Sequence, residues 1–478
     1  MTIIGREKEI ALLQSILIKE RSQFVAIYGR RRIGKTFLIR NVYAKHLLFE
    51  CSGLRNGSLE QQLENFHLSL CKQSKTMFPK PSTWLQCFHL LENYLDGLQS
   101  ARKKVIFLDE IPWFETHKGG FLAAFTNFWN AYCTRRNDII LVVCCSATSW
   151  IIDMIVNNRG GLHNRLNHHI RLDPFTLKEC QLFLSNRKIS FTPKDLALLY
   201  MCMGGIPFYL EEINQGESVA QIMNKLFLSP KALFRNEFNN LYHALFKHAD
   251  KYIEVIKLLA SKNRGLTRQE IVKYASFETG GGLTKILKEL EACGFIDISS
   301  PIDKERSEAI HRLVDEYSFF YLKFLNGKGK YKTANELLNS QSFKVWTGYA
   351  FENLCLRHKS EIAAVLGFSG ISYATYSFVH KTKQGDNQKG TQIDLIFDRS
   401  DNVLNIIECK FYEGSYVMKK ADADSVIQKR LAYVQKTASK KTIFTTLITI
   451  YPTERNAHYL SAITNELNID SFLKYHKM

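Results

Sequence analysis

The stretch GRRRIGKT carries glycine, lysine and threonine at the spacing of the pattern G-x-x-x-x-G-K-[ST]. It follows the apolar stretch FVAIY and precedes a helical one. In such a loop, backbone N–H groups surround a phosphate at a helix N-terminus, the lysine reaches the β- and γ-phosphates, and the hydroxyl contacts Mg²⁺. The pattern therefore predicts an ATP site with Mg²⁺ held by the threonine. Its cofactor-binding residues are Gly29, Arg30, Arg31, Arg32, Ile33, Gly34, Lys35, Thr36 and Phe37.

Two adjacent carboxylates, Asp109 and Glu110, follow a second apolar strand in the stretch VIFLDE. If this strand lies in the same sheet as the strand that leads to Lys35, Asp109 would contact Mg²⁺. Glu110 would then orient or deprotonate the attacking water. The alternative is a turn that is acidic without a catalytic role. The presence of Glu110 favours hydrolysis of ATP as well as binding.

Opposite charges lie two residues apart in a later apolar strand, NIIECKF, where Glu408 and Lys410 share one face. The preceding strand, TQIDLIF, carries Asp394, and the turn DRSDN separates the two. We expect a hairpin register that places Asp394 across from Ile406, on the same face as Glu408 and Lys410. The alternative for Glu408 and Lys410 is a half-buried ion pair.

Carboxylates on one face of a sheet repel each other unless a cation lies between them, and Mg²⁺ with oxygen ligands is the usual solution. Asp394 and Glu408 would hold this ion, and Lys410 would orient the attacking water or stabilise the developing charge. Hydrolysis of a nucleic-acid phosphodiester suits such a site.

Length and composition define the kind of protein that must position these groups. A chain of 478 residues predicts about three or four domains. Its net charge of +18 makes a polyanion the first partner to consider, with DNA favoured. The eleven cysteines include no C-x-x-C pair, which indicates reduced buried thiols. With no signal peptide and no apolar run of about 20 residues, we expect a cytoplasmic protein without a membrane partner.

Four segments follow from the periodicity of the chain. Residues 1–173 alternate apolar strands with helices, which is typical of a parallel α/β sheet, and residues 174–245 are helical, as in a lid. Residues 246–325 predict three helices and a two-stranded ribbon, the winged-helix arrangement, which either contacts DNA or acts as a spacer. Residues 340–478 return to an α/β pattern.

Several further motifs, in order along the chain, carry a family resemblance. The stretches IGREKE, CSATSW, GLHNRLNHHIRLDPFTLKE and GGIPFYL resemble those of the archaeal-type ATPases in the AAA-like, STAND-related P-loop group. The resemblance implies that Ser146 faces the γ-phosphate region, that Arg165 acts as an arginine finger, and that Pro207 lies near the nucleotide. Each has an alternative, since an arginine is commonly a solvated charge and GGIP is commonly a helix stop.

Many members of this group carry a C-terminal domain similar to restriction endonucleases, with a PD-(D/E)xK site. The resemblance implies that Glu352, on the helix within GYAFENLCLRH, completes the metal shell, whereas most helix glutamates are simply solvated. The chain departs from the family pattern at Ile393, where proline precedes the aspartate in the motif. The fold class expected is therefore α/β: a P-loop NTPase sheet with a helical lid, a winged helix and a restriction-endonuclease-like domain.

Together these features predict an ATP-binding and ATP-hydrolysing protein coupled to Mg²⁺-dependent cleavage or binding of DNA, in a defence or mobile-element setting. The alternative is an ATP-dependent DNA-binding regulator or signalling switch whose nuclease fold is inactive. Self-association into a homo-oligomer is compatible with the sequence.

Overall fold

The chain divides into two compact units, Met1–Pro174 and Phe175–Met478. Its computed structural model describes residues 3–99, 102–146, 165–246, 248–263, 265–275, 281–299, 309–327, 330–380 and 390–474.

The first unit is built on a parallel sheet whose strand order is β2-β3-β4-β1-β5. The bounds of these strands are β1 Gln23–Tyr28, β2 Leu47–Ser52, β3 Lys104–Asp109, β4 Ile139–Cys145 and β5 His168–Arg171. The parallel α/β sheet expected from the sequence is confirmed, and the apolar stretches FVAIY and VIFLDE form β1 and β3. Because all five run in one direction, the loops after β1, β3 and β4 meet at one edge of the sheet.

Helices cover this sheet, and their apolar faces make the core. Burial is nearly complete along β1, β3 and β4, as a parallel sheet covered on both faces requires. The helices of this unit are α1 Glu7–Ile16, α2 Lys35–Val42, α3 Leu59–Ser74, α4 Trp84–Asp96, α5 Phe121–Asn127, 3₁₀ turns Ile111–Trp113 and Cys133–Arg135, and a π-helical turn Phe128–Tyr132.

The second unit begins with a group of helices joined by short loops. They are α6 Leu177–Asn186, α7 Pro193–Met203, α8 Pro207–Leu210, α9 Val219–Met223, a π-helical turn Asn224–Leu228 and α10 Glu237–Leu245. The GGIP turn before α8 is tightly packed, since a Cβ on Gly205 would lie 1.8 Å from the carbonyl oxygen of Phe175.

Three helices and a small antiparallel sheet follow. The helices are α11 Ala249–Ser261, α12 Arg268–Ala275 and α13 Gly281–Ala292, and the strands are β6 Leu266–Thr267, β7 Ile296–Ser299 and β8 Ile310–Leu313. The strand order is β6-β8-β7, with β8 paired to both neighbours. Thr267 and Glu270 form reciprocal hydrogen bonds at the start of α12, the capping box that their spacing predicts.

The last part of the chain forms a mixed sheet with the order β13-β12-β11-β10-β9. The strands are β9 Tyr373–His380, β10 Thr391–Arg399, β11 Val403–Lys410, β12 Thr442–Thr449 and β13 Asn465–Asn468. The helices are α14 Glu316–Phe320, a π-helical turn Tyr321–Leu325, α15 Ala334–Leu338, α16 Gln341–Arg357, α17 Lys359–Val365, α18 Lys420–Thr437, α19 Ala457–Ala462 and α20 Ile469–Lys474. Helix α16 packs on β11, and helix α18 packs on β10.

The hairpin of β10 and β11 has a different register from the predicted one. Ile396, and not Asp394, lies across from Ile406. The prediction was wrong by two residues because the turn is shorter than assumed, with Asn402 closing it in the left-handed conformation at φ 67°. A slip of two residues preserves the face of each side chain, and it brings Asp394 and Glu408 to the positions just beyond the last ladder pair.

Within the described ranges, no helix combines the length and the apolar character that crossing a membrane requires.

Candidate functional site

The loop between β1 and α2 has the backbone conformation that a phosphate-binding loop needs. Gly29 has φ 141°, Arg32 has φ 68°, and Gly34, the residue before α2, has φ 88°. Gly29 also approaches the backbone closely, since a Cβ there would lie 2.2 Å from the carbonyl oxygen of Leu172. Side chains larger than hydrogen therefore cannot replace Gly29 without moving the loop.

Lys35 is the first residue of α2, and its side chain is buried under the loop. The Nζ atom donates to the carbonyl oxygens of Gly29 at 3.0 Å and Arg30 at 2.8 Å. A third hydrogen bond, of 3.2 Å, reaches the Oγ atom of Ser146. The ammonium is thus held between the loop and the residue that follows β4.

Thr36 and Asp109 lie side by side, although they are far apart in sequence. The Oγ1 atom of Thr36 donates to Oδ2 of Asp109 at 2.7 Å. A hydroxyl and a carboxylate are both hard oxygen donors of the kind that Mg²⁺ takes alongside nucleotide phosphates. These two residues therefore fit the predicted Mg²⁺, and they are the residues that would hold it.

Glu110 follows β3 in the left-handed conformation, with φ 48°. Its carboxylate accepts hydrogen bonds from the Oγ atom of Ser146 at 2.7 Å and from the Ser146 backbone N–H at 3.3 Å. Non-glycine residues adopt this conformation at some energetic cost, and here it is supported by the two hydrogen bonds. Lys35, Ser146 and Glu110 consequently form one connected set at the edge of the sheet.

The other predicted loop residues differ in their exposure to solvent. Arg30 and Ile33 are buried, Arg31 and Arg32 are partly exposed, and Phe37 is 38% exposed. Arg6, from the IGREKE stretch, is buried, and its Nη2 atom donates to the carbonyl oxygen of Ile33 at 3.4 Å.

Among the described residues, no contact joins Arg165 or Pro207, the two residues implied by the family resemblance, to Lys35, Ser146 and Glu110. Arg165 is exposed, and it follows residues 147–164, which include most of the CSATSW segment and lie outside the described residues. Pro207 is the first residue of α8 in the second unit. Their roles as an arginine finger and a nucleotide neighbour stay predictions.

In the second unit, the carboxylate of Asp394 is bound by an arginine that the sequence did not predict. Arg312 of β8 donates from Nη1 to Oδ1 of Asp394 at 2.8 Å and from Nη2 to Oε2 of Glu352 at 2.8 Å. Gln392 donates to the same oxygen of Asp394 at 2.8 Å. Burial, with the neighbouring charge of Asp394, raises the pKa of Glu352 to about 7.

Glu408 is 9% exposed and is paired with two lysines. Lys410 lies 3.1 Å from Oε1, and Lys429 of α18 lies 2.7 Å from Oε2. Burial acts to lower the pKa of Lys410, but the charge of Glu408 and its hydrogen bond outweigh burial and raise that pKa. The ion pair considered as the alternative for NIIECKF is therefore present.

As they are arranged, the carboxylates Asp394, Glu352 and Glu408 do not fit a bound Mg²⁺. Each is paired with a protein cation, and no group of three or more His, Cys, Asp or Glu side chains among the described residues is placed to hold a metal ion. A guanidinium joins two of the three carboxylates, where the sequence predicted a shared divalent cation.

Arg312 and Lys429 are the residues that sequence analysis missed. Arg312 did have a local signal, because it lies within the apolar stretch IHRLV, as Glu408 does in NIIECKF. Lys429 had none, since it is one of several basic residues on a long helix.

Comparisons with known proteins agree with the geometry of the first unit. Residues 3–213 match a family described as an ATPase domain predominantly from Archaea. An uncharacterized protein of Methanocaldococcus jannaschii is 23% identical over 67% of this chain and 68% of its own length.

Two solved structures are also similar. A Walker-type ATPase of Pyrococcus abyssi has a TM-score of 0.50 at 15% identity, over 67% of this chain and 96% of its own. The ORC2 protein of Aeropyrum pernix has a TM-score of 0.44 at 14% identity, over 67% and 93%. The family match and the first of these folds agree with the site around Lys35. Residues 3–213 therefore carry an ATPase domain with a P-loop.

Proposed function

We propose that this protein hydrolyses ATP at the site around Lys35 and uses the nucleotide state to control the action of its second unit on DNA. The observation that carries the first part is the connected set of Lys35, Ser146 and Glu110, next to the pair Thr36 and Asp109. Lys35 would neutralise phosphate charge, and Glu110 would orient the attacking water or take its proton. Thr36 and Asp109 would hold Mg²⁺, which would supply positive charge next to the phosphates.

We propose DNA as the partner because the chain carries a net charge of +18 and has a helical module suited to nucleic acid. Helices α11–α13 and the sheet β6-β8-β7 support the proposal that residues 246–325 form a winged helix. On α13, Lys285, Lys288 and Glu291 are exposed. Glu289 is buried, accepts a hydrogen bond from the hydroxyl of Tyr252 and lies 3.9 Å from Lys285. The charged residues exposed on this helix are therefore two lysines and one glutamate, a small excess of positive charge.

Two outputs of the second unit follow from different observations. Cleavage of DNA is supported by the placement of Asp394, Glu408 and Lys410 on adjacent strands of a mixed sheet. DNA binding without cleavage, as in an ATP-dependent regulator or signalling switch, is supported by the ion pairs that already neutralise these carboxylates.

Nicking of supercoiled plasmid DNA tests the choice between the two outputs. The wild type, Lys35→Ala and Glu408→Ala would be compared in Mg²⁺ or Mn²⁺, with and without ATP, and Glu413→Ala, which removes an exposed glutamate five residues later, is the matched control. If the protein is a nuclease, the wild type and Glu413→Ala should nick the plasmid and Glu408→Ala should not. Nicking by Lys35→Ala should no longer respond to ATP. Wild-type protein that binds but never nicks DNA would exclude cleavage and leave the regulator.

A further inference from the structure

We propose that Arg312 keeps the acidic cluster of Asp394, Glu352 and Glu408 closed to divalent cations, and that its guanidinium must leave Asp394 and Glu352 before the cluster can accept one. The inference concerns the C-terminal site of the proposed function, but it depends only on cation binding and not on cleavage.

The guanidinium of Arg312 satisfies two carboxylates from two different elements at once. One N–H group donates to Asp394 of β10 and another donates to Glu352 of α16, both at 2.8 Å. The Arg312 side chain is only 10% exposed, so water screens these interactions weakly. Arg312 therefore joins Asp394 and Glu352 in the way that a bridging metal ion would.

Every carboxyl group of the cluster has a cationic partner while Arg312 is in place. The carboxyl groups of Asp394, Glu352 and Glu408 are paired with three cations, from Arg312, Lys410 and Lys429. A divalent cation entering this group would meet like charges at short range, and its dehydration would not be offset. Departure of the Arg312 guanidinium would leave Asp394 and Glu352 without the cation that now joins them.

A cleft lies beside Arg312, between β7–β8 and the C-terminal sheet. Asp297, Ser299 and Arg312 are on one side of it and Ser377 and Asp394 on the other, and its apolar lining residues are Ile310, Leu356, Tyr376 and Leu395. Across the cleft, the Oγ atoms of Ser299 and Ser377 lie 3.0 Å apart. Because Arg312 lines this cleft, its guanidinium has space beside it into which it can turn away from the two carboxylates.

Titration of the nucleotide-free, full-length protein with Mn²⁺ in a calorimeter tests the inference. Arg312→Ala should bind Mn²⁺ about tenfold more tightly than the wild type, or better, because the competing cation is gone while the carboxylates remain. Lys359→Ala is the matched control, since Lys359 lines the same cleft and pairs with Asp297 at 3.2 Å. Its Mn²⁺ affinity should equal that of the wild type.

The double variant Arg312→Ala/Asp394→Asn should lose the gain in affinity. If Arg312→Ala fails to fold, Arg312→Lys replaces it, since lysine keeps a cation but cannot bridge two carboxylates. Arg312→Lys should bind Mn²⁺ more tightly than the wild type, by less than the tenfold expected for Arg312→Ala. Its melting temperature should rise more on adding Mn²⁺ than that of the wild type. An unchanged affinity in folded Arg312 variants, an equal gain in Lys359→Ala, or a gain that survives Asp394→Asn would each overturn the inference.

The outcome is separable from that of the plasmid assay. If Arg312 variants gain Mn²⁺ affinity but never nick DNA, the closure by Arg312 is supported and nuclease activity is excluded. If the wild type and Arg312→Ala nick DNA equally and bind Mn²⁺ with equal affinity, nuclease activity is supported and the closure by Arg312 is excluded.

Discussion

Single residues at the ATPase site could be predicted from the sequence because their chemistry is tied to local spacing. The P-loop pattern names Lys35 and Thr36, and the strand that ends in Asp109 and Glu110 supplies the carboxylates. The contact between Ser146 and Glu110 was not predicted, because it joins the ends of two strands whose neighbourhood is set by the sheet order. Arg312 was missed for the same reason, since its partners lie 40 and 82 residues away.

Ser146 gives a prediction at this scale. Ser146→Ala removes a hydrogen bond to the carboxylate of Glu110 and an acceptor for Lys35. Hydrogen bonds to charged groups contribute ~1.5–3 kcal/mol, so kcat for ATP hydrolysis should fall about ten- to hundredfold while ATP still binds.

Steady-state hydrolysis with a parallel nucleotide titration measures this change. Ser52→Ala is the control, because Ser52 ends β2 at the same edge of the sheet but is exposed. An unchanged kcat in Ser146→Ala would show that Ser146 does not position Glu110.

At the scale of elements, strands and helices were predicted more reliably than the connections between them. Strands β1 and β3 lie where the apolar stretches predict them, because a strand that is buried on both faces must be apolar along its whole length. The register of β10 and β11 was wrong by two residues, since it depends on the conformation of a turn at Asn402 and not on the hydrophobic pattern. A slip of two is invisible to a pattern of period two.

The loop between β1 and α2 gives a prediction about backbone geometry. Gly29 and Gly34 both have positive φ, but only at Gly29 would a Cβ overlap another atom, the carbonyl oxygen of Leu172 at 2.2 Å. Gly34→Ala should cost ~1–2 kcal/mol from the left-handed conformation alone. Gly29→Ala should lower the melting temperature further, because the loop or the chain at Leu172 must also move.

Thermal unfolding of the two variants, followed by circular dichroism, provides the comparison. Equal losses would mean that the close approach of Gly29 to Leu172 does not constrain the loop.

For the whole molecule, length and charge predicted a multidomain protein with a polyanionic partner but not how its parts interact. The α/β ATPase unit could be recognised because its motifs are local and ordered along the chain. The second unit places strand β8 of one predicted domain against the acidic residues of another, a contact that no local pattern encodes. The proposal about Arg312 therefore rests on tertiary contacts, and the proposal about DNA rests on net charge and on the arrangement of helices α11–α13, whereas the ATPase rests on both sequence and structure.

Steady-state ATP hydrolysis by Glu110→Gln tests the central claim most directly. The substitution keeps the size of the side chain and removes the carboxylate that would orient or deprotonate water. We predict that kcat falls about 10²- to 10⁴-fold with unchanged nucleotide affinity. Glu115→Gln, which alters a partly exposed glutamate five residues later, should hydrolyse ATP at the wild-type rate. Wild-type hydrolysis by Glu110→Gln, or an equal loss in Glu115→Gln, would contradict the assignment of Glu110 as the catalytic carboxylate.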